Sequence, residues 1–222
     1  MEVKMNISKR VNDQINYSNR KKSGSDFVNK DLRRSNCYNC DFSNSNFNHT
    51  SFRGAQFKSC NFFECTFESA EFVATNLKNS KFKQAKFENT VFDSANLEGV
   101  DFEGAEFKNV IFVSTDTSKA INLELSNKEI KVFNEMPRLE ISERLESAAK
   151  AAMKNEYIKF ARVLDTKKGE ISPISMMILL AHFDEETLIK GLGILKSKVD
   201  KDFGTLSYMI QVLKSYQANG LI

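Results

Sequence analysis

The chain has 222 residues, 41% of them hydrophobic, with 32 basic side chains against 29 acidic. That length allows one or two domains, and the near balance of charge excludes an extreme electrostatic field of either sign. No signal-type apolar run opens the chain, and the longest apolar stretch, Ile174 to Phe183, is far short of the ~20 residues a bilayer span needs, so a soluble, cytoplasmic protein with no membrane contact is expected.

Residues 1–24 read as an N-terminal strand and a basic link. Val3, Met5 and Ile7 alternate with polar residues, which is strand periodicity. Lys4, Lys9, Arg10, Arg20, Lys21 and Lys22 face only Glu2 and Asp13, and Ser18 to Ser25 reads as a mobile polar link. A basic nucleic-acid arm is the rival reading. Tyr17 is the only aromatic residue of the segment and the charges are scattered, so no nucleic acid is expected as a partner.

From Phe27 every fifth residue is large and apolar: Phe27, Leu32, a lapse at Cys37, then Phe42, Phe47, Phe52, Phe57, Phe62, Phe67, Phe72, Leu77, Phe82, Phe87, Phe92, Leu97, Phe102, Phe107 and Phe112. From Phe42 on, two residues before each sits a small one, such as Ser45, Ala55, Cys60, Thr75 or Ala85. A period of five shares no stripe on an α-helix, and on a flat strand it alternates between faces. Every Phe can point the same way only if each repeat is a short extended piece plus a turn, wound into a solenoid. Cys37, Cys40, Cys60 and Cys65 all fall on the inward registers and read as buried filler; a Cys40–Cys60 disulfide is conceivable, and no metal-type spacing supports a zinc site.

The stretch resembles the pentapeptide-repeat family, whose motif is Ala-Asp/Asn-Leu/Phe-x-x. Ala95-Asn96-Leu97 matches it fully; Thr75-Asn76-Leu77 and Ala105-Glu106-Phe107 each depart at one position. The resemblance covers about residues 25–114. It implies a right-handed, four-sided β-helix with twenty residues per turn, here assigned to 25–117. Some members protect bacterial DNA gyrase by presenting an acidic rod that imitates duplex DNA.

With twenty residues per turn, residue n lies over n+20. Lys78 then stacks on Glu98, Lys81 on Asp101, Lys83 on Glu103 and Lys86 on Glu106. Internal pairing of this kind makes a poor DNA imitation, so gyrase is a disfavoured partner. Thr50, Thr75 and Thr90 point inward, which removes an ice-binding array. Two outward aromatics, Tyr38 and Phe63, are candidate interaction residues, with packing under a neighbouring segment as the bland alternative. Val73, Val91, Ile111 and Val113 recur on one face and read as the docking site for the C-terminal helices.

Beyond the ladder, residues 118–222 read as a helical capping or interaction domain. Ile121, Leu123 and Leu125 alternate as a last strand; Ser126 and Glu129 have capping-box spacing before a helix over Ile130, Phe133 and Met136, ended by Pro137. A long helix is expected from Ile141 to Asp165. Ser172-Pro173 opens an apolar helix, Asp184 the next, and Thr205 to Ala218 the last, together a small bundle. The two histidines, His49 and His182, stand alone, and nothing has the spacing of a nucleophile elbow, phosphate loop or metal site. No enzyme and no cofactor are expected. The expected function is a protein-interaction scaffold, a rigid rod with a helical module for an unidentified protein partner or a homodimer; gyrase protection is the alternative.

Overall fold

The computed structural model describes residues 13–166, 168–199 and 203–222. The strand expected over Val3 to Ile7 lies outside them. The chain forms a right-handed, four-sided β-solenoid of about six turns, followed by five helices.

Three sides are short parallel sheets. Side A holds β4 (Thr66–Glu68), β6 (Lys86–Glu88) and β8 (Glu106–Lys108); side B holds β5 (Glu71–Val73), β7 (Val91–Asp93), β9 (Val110–Val113) and β10 (Ile130–Phe133); side C holds β1 (Asn16–Ser18), β2 (Asn36–Tyr38) and β3 (Gln56–Lys58). Side D is a column of single bridges from Lys21 through Asp41, Asn61, Lys81 and Asp101 to Ile121. Every pair keeps a register of n to n+20, as Phe67 on Phe87 and Phe72 on Phe92. The coil therefore extends on both sides of 25–117. The polar stretch from Ser18 to Ser25 is part of it, with Lys22 and Gly24 donating to the carbonyls of Asp41 and Ser43.

Phenylalanines fill the interior in stacked columns. On side B the centroids of Phe52, Phe72 and Phe92 lie 4.6 and 4.7 Å apart, and Phe112 continues the column at 4.7 Å. Neighbouring columns meet edge-on or tilted, the arrangement aromatic quadrupoles favour. Cys37 fills the lapse above Phe57.

The small residues have a second role besides size. Thr75 and Ser80 donate their hydroxyls to the carbonyls of Phe52 and Phe57, 23 residues earlier, at 2.9 and 2.7 Å. Ser80 Oγ also accepts from Cys60 N–H at 2.9 Å, so one hydroxyl ties two turns together. The Cys65 thiol donates to Phe42 O at 3.0 Å in the same way. Burial pushes the thiols of Cys37, Cys60 and Cys65 up to about 12. Thiolate is the reactive form. All four cysteines, free and buried, should therefore resist a thiol reagent such as DTNB in the native protein and react together only in denaturant. Rapid labelling of any of them under native conditions would contradict this.

Each corner places a residue in the left-handed region, with φ of 58° at Asn44, 55° at Glu64 and 50° at Ala74. For a residue with Cβ that conformation costs ~1–2 kcal/mol, partly offset in glycine by chain entropy. The Ala74 side chain is exposed and has no packing to lose. Ala74→Gly should therefore raise stability by ~0.5–1 kcal/mol in urea unfolding, whereas Ala85→Gly, on the buried register, should lower it.

The C-terminal part departs from the sequence reading at three points. Residues 130–133 are strand β10, not a helix, because the open edge of β9 offers unpaired backbone groups in the n+20 register. Ile121, Leu123 and Leu125 form no strand; Ile121 makes one bridge to Asp101. The long helix is two, α1 (Glu143–Ala152) and α2 (Glu156–Ala161), because Asn155 accepts from the N–H groups of Tyr157 and Ile158 and starts a new N-terminus. Then come α3 (Pro173–His182), α4 (Glu185–Leu195) and α5 (Leu206–Ala218), capped by Ser172, Asp184 and Thr205. Leu145, Met176, Leu188, Leu192, Met209 and Leu213 form part of their shared core. At Gly191 an added Cβ would come within 2.4 Å of Leu213, so glycine sets the α4–α5 approach.

Candidate interaction surfaces

The helices lie along side B of the coil. Three kinds of contact hold them. Near the N-terminal end, Asp31 takes a two-pronged bond from Arg33, at 2.6 Å from Nε and 2.5 Å from Nη2. The same guanidinium donates to Phe160 O at 2.6 Å and lies 4.7 Å from the Phe160 ring centroid, so it grips the end of α2.

In the middle, Glu71 accepts from Leu206 N–H at 2.6 Å. A coil carboxylate thus sits at the first turn of α5, where unpaired N–H groups favour negative charge. Burial raises the Glu71 carboxyl, and the Arg53 charge opposes that shift. Arg53 is pushed the other way, mainly by burial, and its Nε has no hydrogen-bond partner among the described residues. Toward the C-terminal end the contact is apolar: Val91, Ile111 and Val113 pack with Ile174 of α3, and Phe133, Met136, Met177 and Ile178 surround them.

Val91, Ile111 and Val113 are therefore brought together under α3, while Val73 lines a narrow gap beside Arg53 and Glu71. Tyr38 and Phe63 are not brought together. Tyr38 is 51% exposed on side C, and Phe63 is half-buried on side D. The charged members of this interface, Arg33, Arg53 and Glu71, escaped sequence reasoning. Their signal was charge on the two columns that carry the apolar patch further along: Glu71 precedes Val91 and Ile111 on one, and Arg33 and Arg53 precede Val73 and Val113 on the other.

Of the four stacked ion pairs expected on the other sides, Lys78–Glu98 forms at 2.8 Å, Lys83–Glu103 forms, and Lys86–Glu106 forms at 3.5 Å. The fourth is different. Lys81 and Asp101 share a backbone bridge, but Lys83 takes the Asp101 carboxylate at 3.2 Å, because Lys83 projects outward from the same side one turn below. Lys108 adds a pair to Glu88 at 2.5 Å.

Known families account for the coil. The description "Pentapeptide repeats (8 copies)" matches residues 31–68, and "Pentapeptide repeat region" matches residues 55–131. Residues 31–131 belong to the pentapeptide-repeat family. Among solved structures, the pentapeptide-repeat protein Rfr23 from the cyanobacterium Cyanothece 51142 is 15% identical, with 53% of this chain and 84% of that one covered and a TM-score of 0.36. HetL, described as involved in heterocyst differentiation regulation in Nostoc sp. strain PCC 7120, is 18% identical over 53% of this chain and 49% of its own, with a TM-score of 0.27. QnrB1, a plasmid-mediated fluoroquinolone resistance protein, is 16% identical over 54% and 94%, with a TM-score of 0.16. No curated protein matches the chain. No helix among the described residues is long and apolar enough to cross a membrane.

Proposed function

We propose that the chain is a non-catalytic, cytoplasmic protein-interaction scaffold, in which the pentapeptide coil is a rigid rod that carries the helical bundle in a set orientation toward a protein partner or a second copy. The observation that carries this reading is the anchoring of the bundle along side B, from Arg33 through Glu71 to Ile111. Sides A, C and D are left for contact with others, and Tyr38 on side C and Phe63 on side D are the candidate aromatic contacts.

The described residues supply little for catalysis. The four thiols are buried inside the coil, and His49 and His182 stand apart on a coil corner and a helix end. Gyrase protection through DNA imitation is disfavoured by the ion pairs. Glu88, Glu98, Asp101, Glu103 and Glu106 each lie beside a lysine, so the coil lacks the unbroken negative charge of a duplex.

The test is affinity capture from a bacterial lysate with three baits: the whole chain, an Ile174→Asp variant that frees the bundle from the coil, and a Lys78→Glu, Glu98→Lys swap. The expected partner is kept by the swap and lost or weakened when the bundle is freed. A partner held equally by all three baits, a gyrase subunit above all, would overturn the reading.

A further inference from the structure

A cleft of about 170 Å³ lies at the seam between the coil and α3. Its floor is Val91 and Ile111 of the coil, and its wall includes Met177 and Ala181 of α3. Lys131 of β10 and His182 at the end of α3, both exposed, also line it. Lys131 has no ion-pair partner among the described residues, unlike Lys78, Lys83, Lys86 and Lys108 further down the coil. The Asn109 side-chain amide donates to Asn89 Oδ1 at 2.8 Å, which turns the Asn89 amide nitrogen into a further donor at the rim.

No carboxylate lines the cleft. Acids close to the lining residues are engaged: Glu88 bonds Lys108 at 2.5 Å, Glu129 accepts from Asn109 N–H at 3.0 Å, and Glu71, in the adjoining gap beside His182, accepts from Leu206 N–H at 2.6 Å. Burial, and then the Lys214 charge, lower the His182 pKa, as fits an imidazole with no counter-anion. The lining thus sets one lysine charge, without an ion pair among the described residues, and two amide side chains over an apolar floor. The size is telling as well, since an apolar cavity of about 150 Å³ holds benzene.

We propose that this cleft binds a small organic monoanion, a carboxylate on a ring-sized apolar body. Such a ligand touches the coil through Val91, Ile111 and Lys131 and the bundle through Met177, Ala181 and His182. It binds only the docked arrangement and so stabilises it. The site takes a ligand whether or not the bundle has a protein partner, so it stands apart from the scaffold reading.

The probe is benzoate, titrated into the whole chain by NMR and by thermal shift, with benzamide and benzylamine as the neutral and cationic controls. Benzoate should bind saturably, with a Kd on the order of 1 mM for so small a ligand. Benzamide should bind about tenfold more weakly, the loss of a charge-assisted bond, and benzylamine more weakly still. Ala181→Phe should fill the cleft and remove binding. Lys131→Met should weaken benzoate about tenfold while leaving benzamide unchanged. Lys131 is exposed, so this variant decides the matter even if Ala181→Phe does not fold. Absence of saturable benzoate binding, equal binding of the three probes, or benzoate binding that survives Lys131→Met unchanged would overturn the proposal.

Discussion

Phe72→Ala will strongly damage the coil, lowering the unfolding free energy by ~3–5 kcal/mol. Phe72 is fully buried, stacked on Phe52 at 4.6 Å and on Phe92 at 4.7 Å, and it meets Phe82 edge-on at 6.1 Å. Alanine removes the burial of a large ring and breaks the column at its centre. The turns above and below cannot close the hole, because their spacing is held by the strand bonds between β5 and β7. Aromatic pairing adds ~0.5–1.5 kcal/mol beyond the lost area. For a chain of this length the melting temperature should fall by roughly 10 °C. Lys78→Ala is the control. Its ion pair with Glu98 is exposed, and pairs of that kind are worth ~0–1 kcal/mol. Urea unfolding of the two variants checks the assignment; equal losses would mean that the ladder does not carry the core.

Ile174→Asp should separate the bundle from the coil while leaving each intact. Ile174 is 5% exposed and packs on Val91, Ile111 and Val113. A carboxylate there would be buried against these apolar side chains, at a cost of several kcal/mol. The helix itself tolerates the change. Ile174 follows Pro173 in the first turn of α3, where an acidic residue is favoured. The loss should therefore fall on docking. Two observables follow: unfolding splits into two transitions, and residues 134–142 become open to limited proteolysis. A single cooperative transition at the original position would show that the apolar patch contributes little.

Much of the coil was legible from one period. Phe42 to Phe112 recur every fifth residue, and each contacts residues twenty away, so the pattern repeats the same local instruction turn after turn. The small register was legible as small, but not as a set of hydroxyls bonding the carbonyl 23 residues earlier. That bond, from Thr75 to Phe52 O for example, depends on the hydroxyl's direction at a corner. The helical spacing of Ile130, Phe133 and Met136 misled, because four residues satisfy a helix and a strand equally until the edge of β9 decides. Lys81 and Lys83 share a side two residues apart, and stacking by twenty could not say which would reach Asp101.

By itself, the sequence determined the solenoid, its inward residues and the presence of helices after it. Those follow from interactions between nearest turns, which any one repeat specifies for its neighbour. Only the tertiary structure decided where the helices rest and which charges they bury. Arg33 reaches Phe160 across 127 residues and Glu71 reaches Leu206 across 135. Contacts made once, between segments that share no period, leave no repeating trace in the chain; they are set by which side of the coil offers an apolar patch and a carboxylate at the right height.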